Sequence, residues 1–273
     1  MTKDVEFPPK QRKKMHPPMP LGDLGDARQP LLAWAGQREA GVSVQPHAHP
    51  RAQLALCFDG VMRLEVGDDT WFIPDRHGIW IPSGLRHQLT VGSAIELQNF
   101  YLHPRYAARS GLPDRPTVVR ATPLLRGIAR RLAPGAGERL SPAQRRRLGW
   151  VALDEMTQLE RPDLRLPGGR DPRLVAVMDH LLAHPEDAQG LARLAELAGS
   201  SERTLSRLFP AETGLSWRDW RDRMRFMLAL EGLQMGQGST VLAARLGYSS
   251  PSAFVAAFRR HFGMTPSEWR KRN

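Results

Sequence analysis

Residues 240–263 read TVLAARLGYSSPSAFVAAFRRHFG, and residues 191–214 read LARLAELAGSSERTLSRLFPAETG. Each runs from a short apolar-periodic segment through a glycine and a serine into a second such segment, so one layout occurs twice. In the earlier copy Leu191, Leu194, Ala195 and Ala198 make one helix face. Gly199 supplies the left-handed conformation that a tight turn needs, and Ser200 or Ser201 can cap the next helix. In that next helix Leu205, Leu208 and Phe209 face inward while Arg203, Thr204 and Arg207 face outward. In the later copy Gly247 is the turn, Ser250 the cap, and Pro251 takes the first helical position, where a missing N–H costs nothing. Ala253 or Phe254, with Ala257 and Phe258, form its inward face. Between the copies Trp217, Trp220, Met224, Met227, Leu228 and Glu231 step by three and four, which predicts a long helix that fixes their spacing. This is the helix-turn-helix layout, whose second helix enters the major groove.

Two such units in tandem, followed by HFGMTPSEWRKRN, resemble the AraC/XylS family of transcription regulators, especially over Gly247–Arg270. The resemblance covers about residues 172–273 and implies an all-α carboxy-terminal domain with a linker helix between its two units. Carried over position by position, the family's base-reading places fall on Arg203, Ser206 and Arg207 in the first unit, with Thr204 beside them. In the second unit they fall on Ser252, Ala253 and Ala256. Arginine makes bidentate contacts to guanine, whereas alanine offers only an apolar contact to a thymine methyl. Ala256 stands where many relatives have arginine. The resemblance therefore implies that the first unit does most of the direct readout and the second does more positioning, with Arg259 and Arg260 near phosphate.

Upstream, from about Leu31 to His103, the segments AQLALCF, VMRLEV, TWFI, GIWIP, HQLTV and IELQNFYL have strand length. Turn signals at Asp59-Gly60 and Gly67-Asp68-Asp69 separate them, which predicts a β-sandwich or barrel. Within GVSVQPHAHPRAQLALCFDG, residues 41–60, His47 and His49 stand one residue apart and would share one side of a strand. The order Gly41, His47, His49, Gln53, Gly60, then Pro82, Gly84 and His87 in PSGLRH, resembles the two motifs of the cupin barrel. In that fold paired histidines, a glutamate and a later histidine converge on one metal. Gln53 stands where glutamate is usual and Val91 where asparagine often is. The resemblance thus implies a site of three neutral imidazoles, His47, His49 and His87, able to hold a divalent ion such as Zn(II) or Ni(II). The alternative is a hydrogen-bonding cluster in a pocket for a small-molecule effector. Trp80 and Gln98 are placed in that pocket, with Trp71, Phe72 and Glu96 on strands that could line it, and Arg51 is a contact for an anionic effector or a member of a surface salt bridge.

Between the two regions LLRGIARRLA and SPAQRRRLGWVALDEMTQLE read as helices, the second capped by Ser141 with Pro142 at its first position. Leu148, Val151, Ala152, Glu155, Met156 and Leu159 give it a mostly apolar stripe, suited to a dimer contact or to packing on the strands. The chain has 39 Lys and Arg against 28 Asp and Glu, a net charge of +11, which favours anionic partners. Residues 106–170 hold 13 arginines against 6 acidic residues, so most of the excess lies there. Cys57 is the single cysteine, which excludes an intrachain disulfide. The amino terminus lacks the apolar stretch of a signal peptide, and no run approaches the length of a membrane span.

The expected architecture is an α+β chain of two domains. A disordered arm (1–28) precedes a cupin-like β-barrel sensing domain (29–105), a helical connector suited to dimerisation is placed at 106–171, and an AraC-type tandem helix-turn-helix domain at 172–273. The expected function is a cytoplasmic DNA-binding transcription regulator, an activator in the simplest case, under control of a small-molecule effector and without enzymatic activity. Its expected partners are a double-stranded DNA operator, a second copy in a homodimer and, for an activator, RNA polymerase. The competing expectation is a metal-dependent cupin enzyme fused to a DNA-binding module, against which the missing carboxylate at Gln53 argues.

Overall fold

The computed structural model describes residues 14–16, 30–108 and 111–272. They divide into two compact units, one running to residue 67 and from 71 to 165, the other from 166 onward together with 68–70.

In chain order the first part of the chain holds β1 (Lys14–His16), β2 (Leu31–Arg38), β3 (Val42–Val44), β4 (Ala52–Phe58), β5 (Met62–Val66), β6 (Asp69–Ile73), β7 (His77–Ile81), β8 (Gln88–Val91) and β9 (Ile95–Leu102). After it come α1 (Pro104–Ala107), β10 (Thr117–Arg120), α2 (Pro123–Leu132), α3 (Pro142–Thr157) and β11 (Arg165–Leu166). One sheet has the order β10-β7-β4-β9-β2 and the other β1-β3-β8-β5-β6-β11. Each order ends at two edge strands, so the ladder never closes, and the expected barrel is a pair of sheets instead. Strand β4, AQLALCF, has all seven residues buried. A strand apolar on both faces needs a covering layer on each side. Helices α2 and α3 supply one layer: Leu125, Ile128, Ala129, Ala152, Leu153 and Met156 share a core with Leu54, Leu56 and Phe100.

The stretch expected as a helical connector is therefore part of the first unit up to residue 165. It also contributes a strand, β10, paired antiparallel to β7 with Val118 opposite Ile79. The β-branched pair in TVVR, between two prolines, carried that signal. Ser141 caps α3 through a reciprocal capping box with Gln144, and Pro142 follows at the first helical position. Of the amino-terminal arm, Lys14–His16 departs from the expectation of disorder by pairing in parallel with β3. The remaining residues of the arm lie outside the described ones.

The second unit holds α4 (Pro172–Ala183), α5 (Leu191–Leu197), α6 (Glu202–Thr213), α7 (Trp217–Gln234), α8 (Ser239–Arg245), α9 (Pro251–Phe262) and α10 (Pro266–Arg272). Gly199 and Gly247 turn the two helix pairs with φ of 61° and 70°. Ser201, not Ser200, caps α6 by accepting from Thr204 N at 3.2 Å, and Ser250 caps α9 by accepting from Ala253 N at 3.1 Å. Leu205, Leu208 and Phe209 are buried in the first pair, and Phe254, Ala257 and Phe258 in the second. Between the pairs α7 buries Trp220, Met224, Met227, Leu228 and Glu231, while Trp217 is half-buried. Among the described residues no helix is long and apolar enough to cross a membrane.

Candidate nucleic-acid interface and histidine site

The histidines are brought together by backbone pairing. His47 and His87 form an isolated antiparallel bridge, His47 N donating to His87 O at 3.0 Å and His87 N to His47 O at 2.8 Å. His49 lies two residues after His47 and three before the start of β4. The ring centroids lie 4.4 Å apart for His47 and His87, 5.2 Å for His49 and His87, and 5.7 Å for His47 and His49. One nitrogen from each ring falls within 4.8 Å of the other two.

The second ring nitrogen fixes the tautomer. His47 Nδ1 lies 2.9 Å from Gln45 O, His49 Nδ1 2.5 Å from Arg51 O, and His87 Nδ1 2.9 Å from Leu85 O. A carbonyl only accepts, so each Nδ1 carries a proton, and a ring in its neutral form keeps a lone pair on Nε2. Burial drives the pKa of His87 down to about 4 and lowers that of His47, so both rings are neutral near pH 7. His49 Nε2 stands 2.9 Å from Gln53 Oε1, while Gln53 Nε2 donates to Asn99 Oδ1 at 2.9 Å. Two acceptors that close are satisfied by a shared cation, or by reversing both amides so that Gln53 donates to His49 and Asn99 to Gln53. Three imidazole nitrogens and an amide oxygen form a donor set that fits a borderline divalent ion such as Zn(II) or Ni(II).

Not every residue placed in this pocket from sequence lies there. Directly paired residues of neighbouring strands share a face, and Gln98 pairs with Leu56, which belongs to the core under α2 and α3. Trp80 belongs to the same core and donates through Nε1 to Pro113 O at 2.8 Å. Glu96 is also on the helix side, where Arg126 and Arg130 of α2 reach it at 2.8 and 2.5 Å. Trp71 and Phe72 are buried, and Arg51 is fully buried rather than at a surface. The residues that do share the face of Gln53 are Tyr101, directly opposite it, and Asn99. The Tyr101 ring lies 5.4 Å from His49. Alternation in IELQNFYL separates 97, 99 and 101 from 96, 98 and 100, but only the observed register says which set meets the histidines.

The base-reading candidates of the second unit are gathered on the solvent faces of α6 and α9. Arg203, Ser206 and Arg207 are exposed on α6, as are Ser252, Ala256, Arg259 and Arg260 on α9. Ala253 is half-buried. Thr204 is also half-buried, and its hydroxyl is 2.9 Å from that of Ser201, so it completes the cap. Facing side chains thus differ between the helices: two guanidinium groups project from the first turns of α6, where α9 offers a hydroxyl and methyl groups.

Comparisons with known proteins agree with this division. Residues 31–145 match the AraC-like ligand binding domain, and residues 194–272 match a helix-turn-helix domain. The HTH-type transcriptional regulator NimR of Escherichia coli (strain K12) is 30% identical over 223 residues, 82% of this chain and 81% of NimR. The HTH-type transcriptional regulator RipA of Corynebacterium glutamicum is 34% identical over 149 residues, 47% of this chain and 44% of RipA. Among solved structures, ToxT from Vibrio cholerae covers 88% of this chain and 97% of its own at 10% identity, with a TM-score of 0.37. The DNA-binding domain of AdpA, the global transcriptional factor, in complex with a target DNA covers 37% of this chain and 92% of its own at 30% identity, with a TM-score of 0.35. The chain belongs to the AraC-type family of helix-turn-helix transcription regulators. It is a DNA-binding regulator of transcription that carries an AraC-like ligand-binding domain.

Proposed function

We propose that the sheets at 29–105 sense a small-molecule effector or a divalent ion at His47, His49, His87 and Gln53, and that this state sets the affinity of residues 172–273 for an operator. The observation that carries the reading is that one ring nitrogen of each histidine lies within 4.8 Å of the other two, with His49 Nε2 2.9 Å from Gln53 Oε1. Held there, a Zn(II) or Ni(II) ion would supply positive charge and an open coordination position to an effector. An amide at position 53 in place of a carboxylate supports sensing over enzymatic turnover.

In this reading Arg203, Ser206 and Arg207 read bases, while Ser252, Ala253 and Ala256 fit the second groove and Arg259 and Arg260 hold phosphates. The helical stretch at 106–171 mediates a homodimer. Trp150 and Val151 of α3, 42% and 43% exposed, are suited to that contact. The regulator works in the cytoplasm, with RNA polymerase as its partner when it activates.

The test uses the full chain and a duplex that it selects from random DNA, with Zn(II) and Ni(II) as separate probes. The expected result is one ion per chain, lost in His47→Ala, and an ion-dependent change in DNA affinity of about 5-fold or more, in the range of allosteric coupling. DNA affinity that neither ion nor His47→Ala alters would contradict sensing at this cluster.

A further inference from the structure

The two helix-turn-helix pairs are joined by α7, whose 18 residues span about 27 Å. Glycines stand at both of its ends, Gly214 before it and Gly236 after it, with φ of 75° and 77°. The helix packs into both pairs, Trp220 against Phe209 of α6 and Phe226 against His261 and Phe262 of α9.

A second connection joins the two pairs beside that packing. The loop from His184 to Gly190 leads into α5, and α7 grips its carbonyls. Arg225 Nε donates to Pro185 O at 3.3 Å, and Arg221 donates to Asp187 O and, at 3.4 Å, to Gln189 O. Asp187 holds the loop in shape, its carboxylate accepting from Gln189 N at 2.7 Å and lying 2.7 Å from His180 Nε2 on α4. The same loop reaches the turn of the second pair. A Cβ on Gly247 would stand 2.7 Å from Glu186 O and 3.0 Å from Arg225 Nη2, so loop, arginine and turn are in close contact. The Arg225 guanidinium carbon also lies 5.7 Å from the centroid of the Tyr248 ring.

We propose that Arg225, clamped between the 185–189 loop and the Gly247–Tyr248 turn, sets the angle between α6 and α9 and makes the protein a ruler for the distance between two DNA boxes. This rests on both helices entering the major groove as proposed above. B-DNA turns once in 10–10.5 base pairs, so inserting one pair moves the second box by about 3.4 Å and rotates it by about 35°. A braced pair resists that change, and losing the brace removes one of the contacts that hold the angle. Arg225 is then a positioning residue that touches no base. Lysine would keep the charge but lose the planar fork that bonds Pro185 O while lying near the Tyr248 ring.

The test is selection from random duplexes of about 40 base pairs, long enough for two boxes a helical turn apart, by the full chain and by Arg225→Ala, Arg225→Lys and Tyr248→Leu. The wild type is expected to enrich one spacing about tenfold or more over spacings one pair shorter or longer. Arg225→Ala is expected to reduce that preference below about threefold while each box keeps its sequence, with the other two variants intermediate. A uniform loss of binding with the single spacing retained would mean a merely structural arginine and would overturn the proposal. A wild type that accepts neighbouring spacings equally would overturn it as well. Enrichment of no box by the wild type would instead contradict the base-reading assignment, and the ruler with it. Should Arg225→Ala fail to fold by circular dichroism, Arg225→Lys and Tyr248→Leu are judged by the same ratio.

Discussion

Trp220→Ala is expected to destabilise the second unit by about 3 to 5 kcal/mol, the range for removing a large aromatic side chain from a core. Trp220 is 1% exposed, packs 5.8 Å from the Phe209 ring of α6, and donates through Nε1 to Pro167 O at 2.7 Å. Alanine leaves both a cavity and an unbonded carbonyl. Domains are stable by only about 5 to 15 kcal/mol, so a unit at the low end of that range would be left partly unfolded, with DNA binding reduced in proportion. Trp220→Phe keeps most of the ring contact and loses the hydrogen bond, for about 1 to 3 kcal/mol. Urea unfolding of the full chain followed by helical circular dichroism measures both. An alanine variant within about 1 kcal/mol of the wild type would contradict the packing described for α7.

Glu96 gives the second large effect, in the first unit and with a defined pH window. Its side chain is 8% exposed and lies between Arg126 and Arg130. The hydrogen bond from Arg130, ahead of those from Arg126 and Gln98, holds its pKa at about 2, against an ordinary 4.5. A depressed carboxylate pKa stabilises the fold in full above about pH 4.5, and this contribution is lost as the pH falls through 2. The shift corresponds to about 3 kcal/mol, reduced to about 2 to 3 because Arg130 is more than half exposed to solvent. Buried His77 and His87, both held near pKa 4, must also take up protons in acid, so the wild type alone would mix these effects. The difference between wild type and Glu96→Gln cancels them. That difference is expected to be about 2 to 3 kcal/mol at pH 7 and to vanish near pH 2. A difference independent of pH would show that the ion pairs contribute nothing.

The helix-turn-helix units were legible in sequence because each local signal agreed with the global fold: the turn glycines, the serine caps and the inward Leu and Phe positions all recur in the structure. Of the histidine cluster, His47 and His49 were legible from their spacing and His87 through the resemblance to the cupin motifs; in the structure His47 and His87 meet across one backbone bridge. The rest depended on long-range pairing. Trp80 and Gln98 could not be assigned a face without register, because a shift of one residue turns every side chain over. Tyr101 and Asn99 were missed for the same reason. The barrel became two sheets because strand lengths and turns do not reveal which edges pair. The brace around Arg225 had no sequence signal, since its partners are the carbonyls of Pro185, Asp187 and Gln189, which any residues could provide.

The central claim, that α6 reads bases through its exposed arginines, is tested most directly by Arg207→Ala on two DNAs: the duplex selected by the wild type and a random duplex of equal length. A bidentate contact to guanine predicts a loss of about 1 to 3 kcal/mol on the selected duplex, roughly 5- to 150-fold in affinity, with little change on random DNA. Equal losses on both would make Arg207 a phosphate contact and contradict base readout by the first helix-turn-helix pair.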